Sequence, residues 1–228
     1  MKKEKEGKEI IKEELIKKYN IDIEKLKQEQ IKLAKELIIK DKIDFNLADR
    51  FGAVDNTFIK NKILCSIIVY DKEFNILDRA YVFEKVKFPY IPGYRNYREL
   101  VPMIMAFEKL TERPDVFFIP AQGIAHKRLG LASHFGLAIG IPTIGVSNSA
   151  VDCEIKGSDI LKNSKKVGKI LVTKEGSRPM FVSPGNLISI DSAYELSKKL
   201  INLPHKYPEP MHLAGKYSRE VKKEIAEK

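Results

Sequence analysis

The stretch RPDVFFIPAQGIAHKRLGLASHFGLAIGIPTIGVS, Arg113 to Ser147, decides the fold. DVFFIP is a short apolar run framed by prolines, as expected of a strand buried on both faces. KRLGLASHFGLAIG then carries its apolar residues at helical spacing, and IPTIGVS is a second buried strand. Strand, helix and strand in that order predict a parallel βαβ unit, because a parallel partner is reached only through a crossover.

Upstream, Leu100, Met103, Ile104, Phe107 and Leu110 recur at helical spacing between Tyr94 and Arg113, and Pro114 ends that helix. Before it, RFGAVD, ILCSIIVY and ILDRAYVFEKV are β-rich and separated by NTFIKNK and DKEFN, which predicts an antiparallel meander. LKQEQIKLAKELII predicts an earlier helix with Leu26, Gln30, Leu33 and Leu37 near one face. Downstream, KILVT, PMFVS and NLISI read as short strands, followed by a helix from Asp191, taken as its N-cap, to Leu203. A proline-rich link and a last charged helix complete the chain. The expected class is α/β, a mixed β-sheet flanked by helices. Residues 1–21 read as a Lys/Glu-rich helical extension and 22–228 as one domain.

Composition narrows the function classes. Of 228 residues, 43% are hydrophobic and 32% charged, which excludes disorder throughout. No apolar run approaches the ~20 residues of a membrane crossing. Cys65 and Cys153 stand far apart without metal-ligand spacing, so neither a disulfide framework nor a zinc site is signalled, and a reducing, cytoplasmic setting is expected. The N-terminus alternates Lys and Glu, unlike a secretory signal. The net charge of +10 favours a polyanionic partner. Residues 1–50 hold 14 basic and 12 acidic side chains, so the excess lies elsewhere: seven basic against two acidic in 156–178, five against one in 79–98.

Two carboxylates stand out. Asp55 ends the apolar run FGAVD, where a side chain emerges at a sheet rim, and Glu99 borders the apolar face of the 94–113 helix. One carboxylate from a strand end and one from a neighbouring helix suit a hard cation such as Mg²⁺, which takes oxygen ligands and bridges to phosphate.

FGAVDNTF, PYIPGYRNYRE, the 113–147 stretch, PMFVSPGNLISIDSA and YPEPMHLA, in this order, resemble the endonuclease V family over roughly residues 22–220. The resemblance implies a ribonuclease H-like fold and Mg²⁺-dependent hydrolysis of a phosphodiester near a deaminated base, chiefly inosine. It places metal binding and catalysis on Asp55 and Glu99, and a lesion wedge on Pro89, Tyr90, Ile91 and Pro92. An aromatic side chain between stiff prolines is suited to unstacking a base step. Arg95, Arg98 and Lys87 suit phosphates, and Gly93, Gly123 and His126 complete the candidate nucleic-acid contacts.

Several positions depart from the family. A third metal-binding Asp followed by Gly-His-Gly reads here Pro120, Ala121, Gln122 and Gly123. The catalytic Lys falls on Asn148 and a C-terminal His on Gly215. A His-Arg pair after SPG reads Asn186 and Leu187. Gln122, His126, Asp152, Asp191 and His212 are the candidates for replacing what is lost, while His134 reads as a structural histidine. The expectation is a nucleic-acid-binding protein, DNA or RNA, whose Mg²⁺ binding and cleavage are weak or absent. The alternatives are a working nuclease using Asp55 and Glu99 with Asp191 or Asp152, and a scaffold that binds a protein partner through residues 1–20.

Overall fold

The computed structural model describes residues 13–174 and 176–227. Of the expected N-terminal extension, residues 13–18 are helical and 19 and 20 form a turn, while residues 1–12 lie outside the described residues. Five helices follow: α1 (Ile23–Ala34), α2 (Asn96–Glu108), α3 (Leu131–Ile139), α4 (Ile190–Lys199) and α5 (Glu209–Ala226). Nine strands form one sheet in the order β3-β2-β1-β4-β5-β9-β8-β7-β6. Their ranges are β1 Phe51–Ile59, β2 Lys62–Tyr70, β3 Ile76–Lys85, β4 Val116–Ile119, β5 Thr143–Ser147, β6 Glu154–Lys156, β7 Asp159–Lys162, β8 Lys165–Leu171 and β9 Met180–Asn186. No described helix is long and apolar enough to cross a membrane.

The meander is observed: β1 pairs antiparallel with β2 and β2 with β3. So is the crossover, since β4 runs parallel to both β1 and β5. Strand β4 shows why its run is wholly apolar. Val116 and Phe118 belong to one core cluster with Leu196 of α4, its C-cap Leu200 and Val221 of α5, while Phe117 and Ile119 belong to a second, on the other face, with Met103, Phe107 and Phe135 of α2 and α3. Successive side chains point to opposite faces, so a central strand covered on both sides has no polar position.

Three expectations are corrected. Asp55 is the fifth residue of β1, opposite Ser66 of β2, because β1 continues through NTFI to a tight hairpin at Lys60. It still reaches a rim, since the pairing of β1 with β4 stops at Ala53. NLISI is no strand: Leu187 takes a positive φ and Ser189 caps α4, its side chain accepting from the Ser192 amide at 3.1 Å. That hydroxyl does what was expected of Asp191. The hairpin β6–β7 has an exposed first arm and so gives no apolar signal.

Candidate nucleic-acid cleft

A cleft of about 880 Å³ opens beyond the C-terminal ends of β4 and β5 and beside the middle of β1, the end of such a sheet at which ligands are commonly bound. Asp55 comes from β1, Pro120 and Gln122 from the turn after β4, and Asn148 from the turn after β5. Tyr90, Pro92 and Gly93 form one wall, His126, Lys127 and Arg128 a second, and His212, Gly215 and Arg219 of α5 a third. Four cationic side chains, Arg95, Lys127, Arg128 and Arg219, face two lining carboxylates, Asp55 and Asp152.

The PYIP segment divides by burial. Pro89 and Ile91 are covered, Ile91 completely, whereas Tyr90 is 62% exposed and Pro92 is exposed beside it. The turn is held from behind. Gly93, at φ +81°, offers its carbonyl to Gln30 Nε2 at 3.1 Å and Arg128 Nη2 at 3.2 Å, and Arg128 Nε donates to Gln30 Oε1 at 2.6 Å. The Arg128 guanidinium also lies 4.7 Å over the Tyr94 ring. Gln30 is fully buried, a role its place in a Leu-rich pattern did not reveal.

Asp55 and Glu99 are brought together. The Cys65 thiol behind them is pushed up by burial and by the charges of Glu99 and Asp55. Glu99, 2% exposed, is fully engaged. Arg95 Nε donates to Oε1 at 2.5 Å, Arg95 Nη2 to Oε2 at 2.9 Å, and Asn56 Nδ2 to Oε2 at 2.8 Å. The remaining arm of the fork, Arg95 Nη1, reaches the Pro120 carbonyl at 3.1 Å. An arginine is unfavourable beside the positive end of a helix, and Arg95 precedes α2 without making a cap; pairing with Glu99 one turn on offsets that cost.

These residues do not fit Mg²⁺. The ion asks for near-octahedral oxygen donors, and here one carboxylate and one main-chain carbonyl are committed to a guanidinium that itself brings positive charge to the site. Asp55 alone remains, accepting from Thr57 Oγ1 at 3.1 Å.

Other sequence candidates separate cleanly. His126 and Asp152 line the cleft, and burial, helped by Arg128 and Lys162, lowers His126 to about 4, so it is neutral near pH 7. Its Nδ1 accepts from the Arg128 amide, leaving Nε2 as the protonated nitrogen. Gln122 lines the cleft and ties to the Ser149 carbonyl at 3.2 Å. Gly123 is buried, its amide donates to Ser183 Oγ at 2.9 Å, and it packs closely on the main chain of Pro184. Arg98 is outside the lining and stacks 4.3 Å over Phe58. Asp191 is also outside it, 2.6 Å from Lys169. Asn186 lies at the opposite end of β5, opposite Thr143, and holds the Ile38 amide, so the departures at 186 and 187 do not touch the cleft.

The sequence profile of the endonuclease V family matches residues 31–216. An endonuclease V of Thermosipho melanesiensis is 38% identical over 185 residues, 77% of this chain and 81% of its own. Among solved structures, endonuclease V from Streptomyces avermitilis aligns with a TM-score of 0.81 at 27% identity, covering 90% of this chain and 95% of that one. The Ciona intestinalis endonuclease V, solved with a 24mer DNA containing an inosine followed by a ribo-adenosine, gives a TM-score of 0.80 at 23% identity over 89% and 98% of the two chains. The ribonuclease H-like fold expected from the resemblance is the fold observed.

Proposed function

The chain belongs to the endonuclease V family, and on that footing we propose that it binds nucleic acid carrying a deaminated or distorted base, with phosphodiester cleavage weak or lost. The observation that carries this reading is the seat of Arg95, whose guanidinium bridges the Glu99 carboxylate and the Pro120 carbonyl. A cation built into the chain holds the charge balance that the family gives to a metal. It can attract a phosphate, yet it leaves no open position at which to activate water.

Binding is supported by the four cationic side chains of the cleft and by the exposed Tyr90 between Pro89 and Pro92. The Ciona relative, caught on inosine-containing DNA, makes an inosine-bearing strand the first ligand to test. A half-exposed aromatic ring on a clamped turn stacks on a base at a worth of about 1–3 kcal/mol.

The test is fluorescence anisotropy with inosine-bearing and matched control strands, with and without EDTA, across salt. Binding indifferent to EDTA is expected, with a log–log salt slope near −3 if four phosphates are met, at about −0.7 each for a single strand. No affinity for either strand at low salt overturns the reading. So does efficient cleavage that requires Mg²⁺ or Mn²⁺ and stops on chelation.

A further inference from the structure

Across the cleft from Arg95, the start of α5 gathers three groups that the proposed function does not use. His205 precedes the helix, Glu209 is its first residue, and His212 follows one turn later. Glu209 and His212 stand three apart on one helical face, and His205 is folded back over them by the turn at Asn202, whose carbonyl accepts from the His205 amide at 2.9 Å.

The three side chains are in contact. His205 Nδ1 lies 2.7 Å from Glu209 Oε2, and the rings of His205 and His212 stack with centroids 3.5 Å apart and planes 14° from parallel. One donor atom from each residue falls within 4.8 Å of the others. Glu209 is 5% exposed and both histidines are half-buried. Among the described residues this is the one such grouping of three His, Cys, Asp or Glu side chains.

We propose that His205, Glu209 and His212 form a binding site for a divalent transition metal of the zinc class, separate from the Asp55–Glu99 pair. A buried carboxylate needs a cation, and a proton shared with one imidazole supplies only part of one. A metal in place of that proton satisfies the carboxylate and both ring nitrogens together. Two imidazoles and a carboxylate are borderline donors that suit Zn²⁺, Ni²⁺ or Fe²⁺ and are poor for Mg²⁺. Ligands of one Zn²⁺, at about 2.0–2.1 Å each, lie no more than roughly 4.2 Å apart. The donor atoms must therefore close by somewhat under about 1 Å, and because a metal lies in the plane of each imidazole that binds it, the stacked rings must also swing out of parallel, a rotation their side-chain torsions provide.

Of the three, His212 lines the cleft, with Gly215 and Arg219 of the same helix. Three protein ligands leave a fourth position for water or a phosphate oxygen. The site stands on its own geometry and holds whether or not the chain binds nucleic acid.

The experiment uses the full chain stripped with a chelator and then dialysed. Zn²⁺ is titrated in competition with a chromophoric chelator, Co²⁺ is followed by its visible absorption, and melting is recorded with and without Zn²⁺. One equivalent is expected, with Co²⁺ bands of a low-coordinate N/O site and a rise in melting temperature that EDTA reverses. His205→Ala and His212→Ala should each weaken Zn²⁺ at least about tenfold, a change of about 1.4 kcal/mol. Both replace half-buried side chains, and circular dichroism verifies that each is folded. Cys153→Ser guards against thiol capture. The proposal is overturned if neither metal binds stoichiometrically, if both histidine variants bind as the parent does, or if Cys153→Ser alone removes the metal.

Discussion

Gln30 and Arg128, far apart in the chain, meet through a 2.6 Å hydrogen bond from Arg128 Nε to Gln30 Oε1, and both donate to the carbonyl of Gly93. The exposed Tyr90 is presented by a turn whose anchor is this pair, so under the proposed function helix α1 supports the base contact although none of it lines the cleft.

Gln30→Ala should therefore act at a distance. The substitution leaves a part-buried guanidinium hydrogen without its acceptor, which costs about 1–3 kcal/mol, read as a lower urea midpoint with an unchanged m-value. Loss of affinity for an inosine-bearing strand, measured where the variant is fully folded, tests the anchor's role; equal affinity would refute it.

Arg95→Leu removes the partner of Glu99. Stripping one side of a buried pair costs about 3–5 kcal/mol, and roughly half of that is expected here because Arg95 is 39% exposed and the pair is screened by solvent on that side. The double variant Arg95→Leu with Pro120→Asp frees Glu99 and adds an oxygen ligand beside Asp55. It should gain Mn²⁺ binding in calorimetry that the parent lacks at that site. Unchanged cation binding in the double variant would show that Arg95 is not what excludes the metal.

Much of this was legible in the sequence, and the limits are physical. The strand, helix and strand of 113–147 could be read because both faces of β4 are covered and its side chains must all be apolar. The meander followed from turn residues between β-branched runs. NLISI misled because a backbone at positive φ on Leu187 leaves no mark in an apolar pattern. Asp55 and Glu99 were legible as a pair, but the partner of Glu99 was not. Arg95 stands at i−4, the weaker order for a helical ion pair, and its fork gains its strength from the Pro120 carbonyl across the fold. Gln30 was read as one of a Leu-rich face; burial of an amide reveals its meaning only once its partners, Gly93 and Arg128, are in place.

Acid should weaken the fold through His134. Burial lowers this imidazole to about 4, against an ordinary 6.5, and it is 8% exposed, with Tyr97 edge-on at 5.9 Å. The unfolded chain binds the proton more readily, so stability is complete above pH 6.5 and is lost as the pH falls toward about 4, where the slope ends. The full difference is about 3 kcal/mol, at about 1.4 kcal/mol per pH unit of separation. Urea midpoints between pH 7 and 4.5 measure it, and His134→Gln should flatten that share of the decline. An unaltered profile would place the acid sensitivity elsewhere, with His126 next in line because burial lowers it too.

Two glycines should respond oppositely to alanine. At Gly123 a Cβ would sit 2.0 Å from the Pro184 carbonyl oxygen and 2.6 Å from its carbon, both main-chain atoms of β9 that cannot withdraw without breaking the sheet. Gly123→Ala should cost several kcal/mol or prevent folding, above the ~1–3 kcal/mol of ordinary overpacking. Gly215 lies within α5, where a Cβ would meet only Arg219 Nη1 at 3.5 Å, an ordinary contact with a movable side chain. A mid-helix glycine is worse than alanine by about 0.8–1.0 kcal/mol, so Gly215→Ala should raise stability by up to that amount. Paired thermal melts decide both. If Gly215→Ala destabilises, the space at the α5 wall is not the open pocket these contacts describe, and a histidine at that position would have no room to face Asp55 across the cleft.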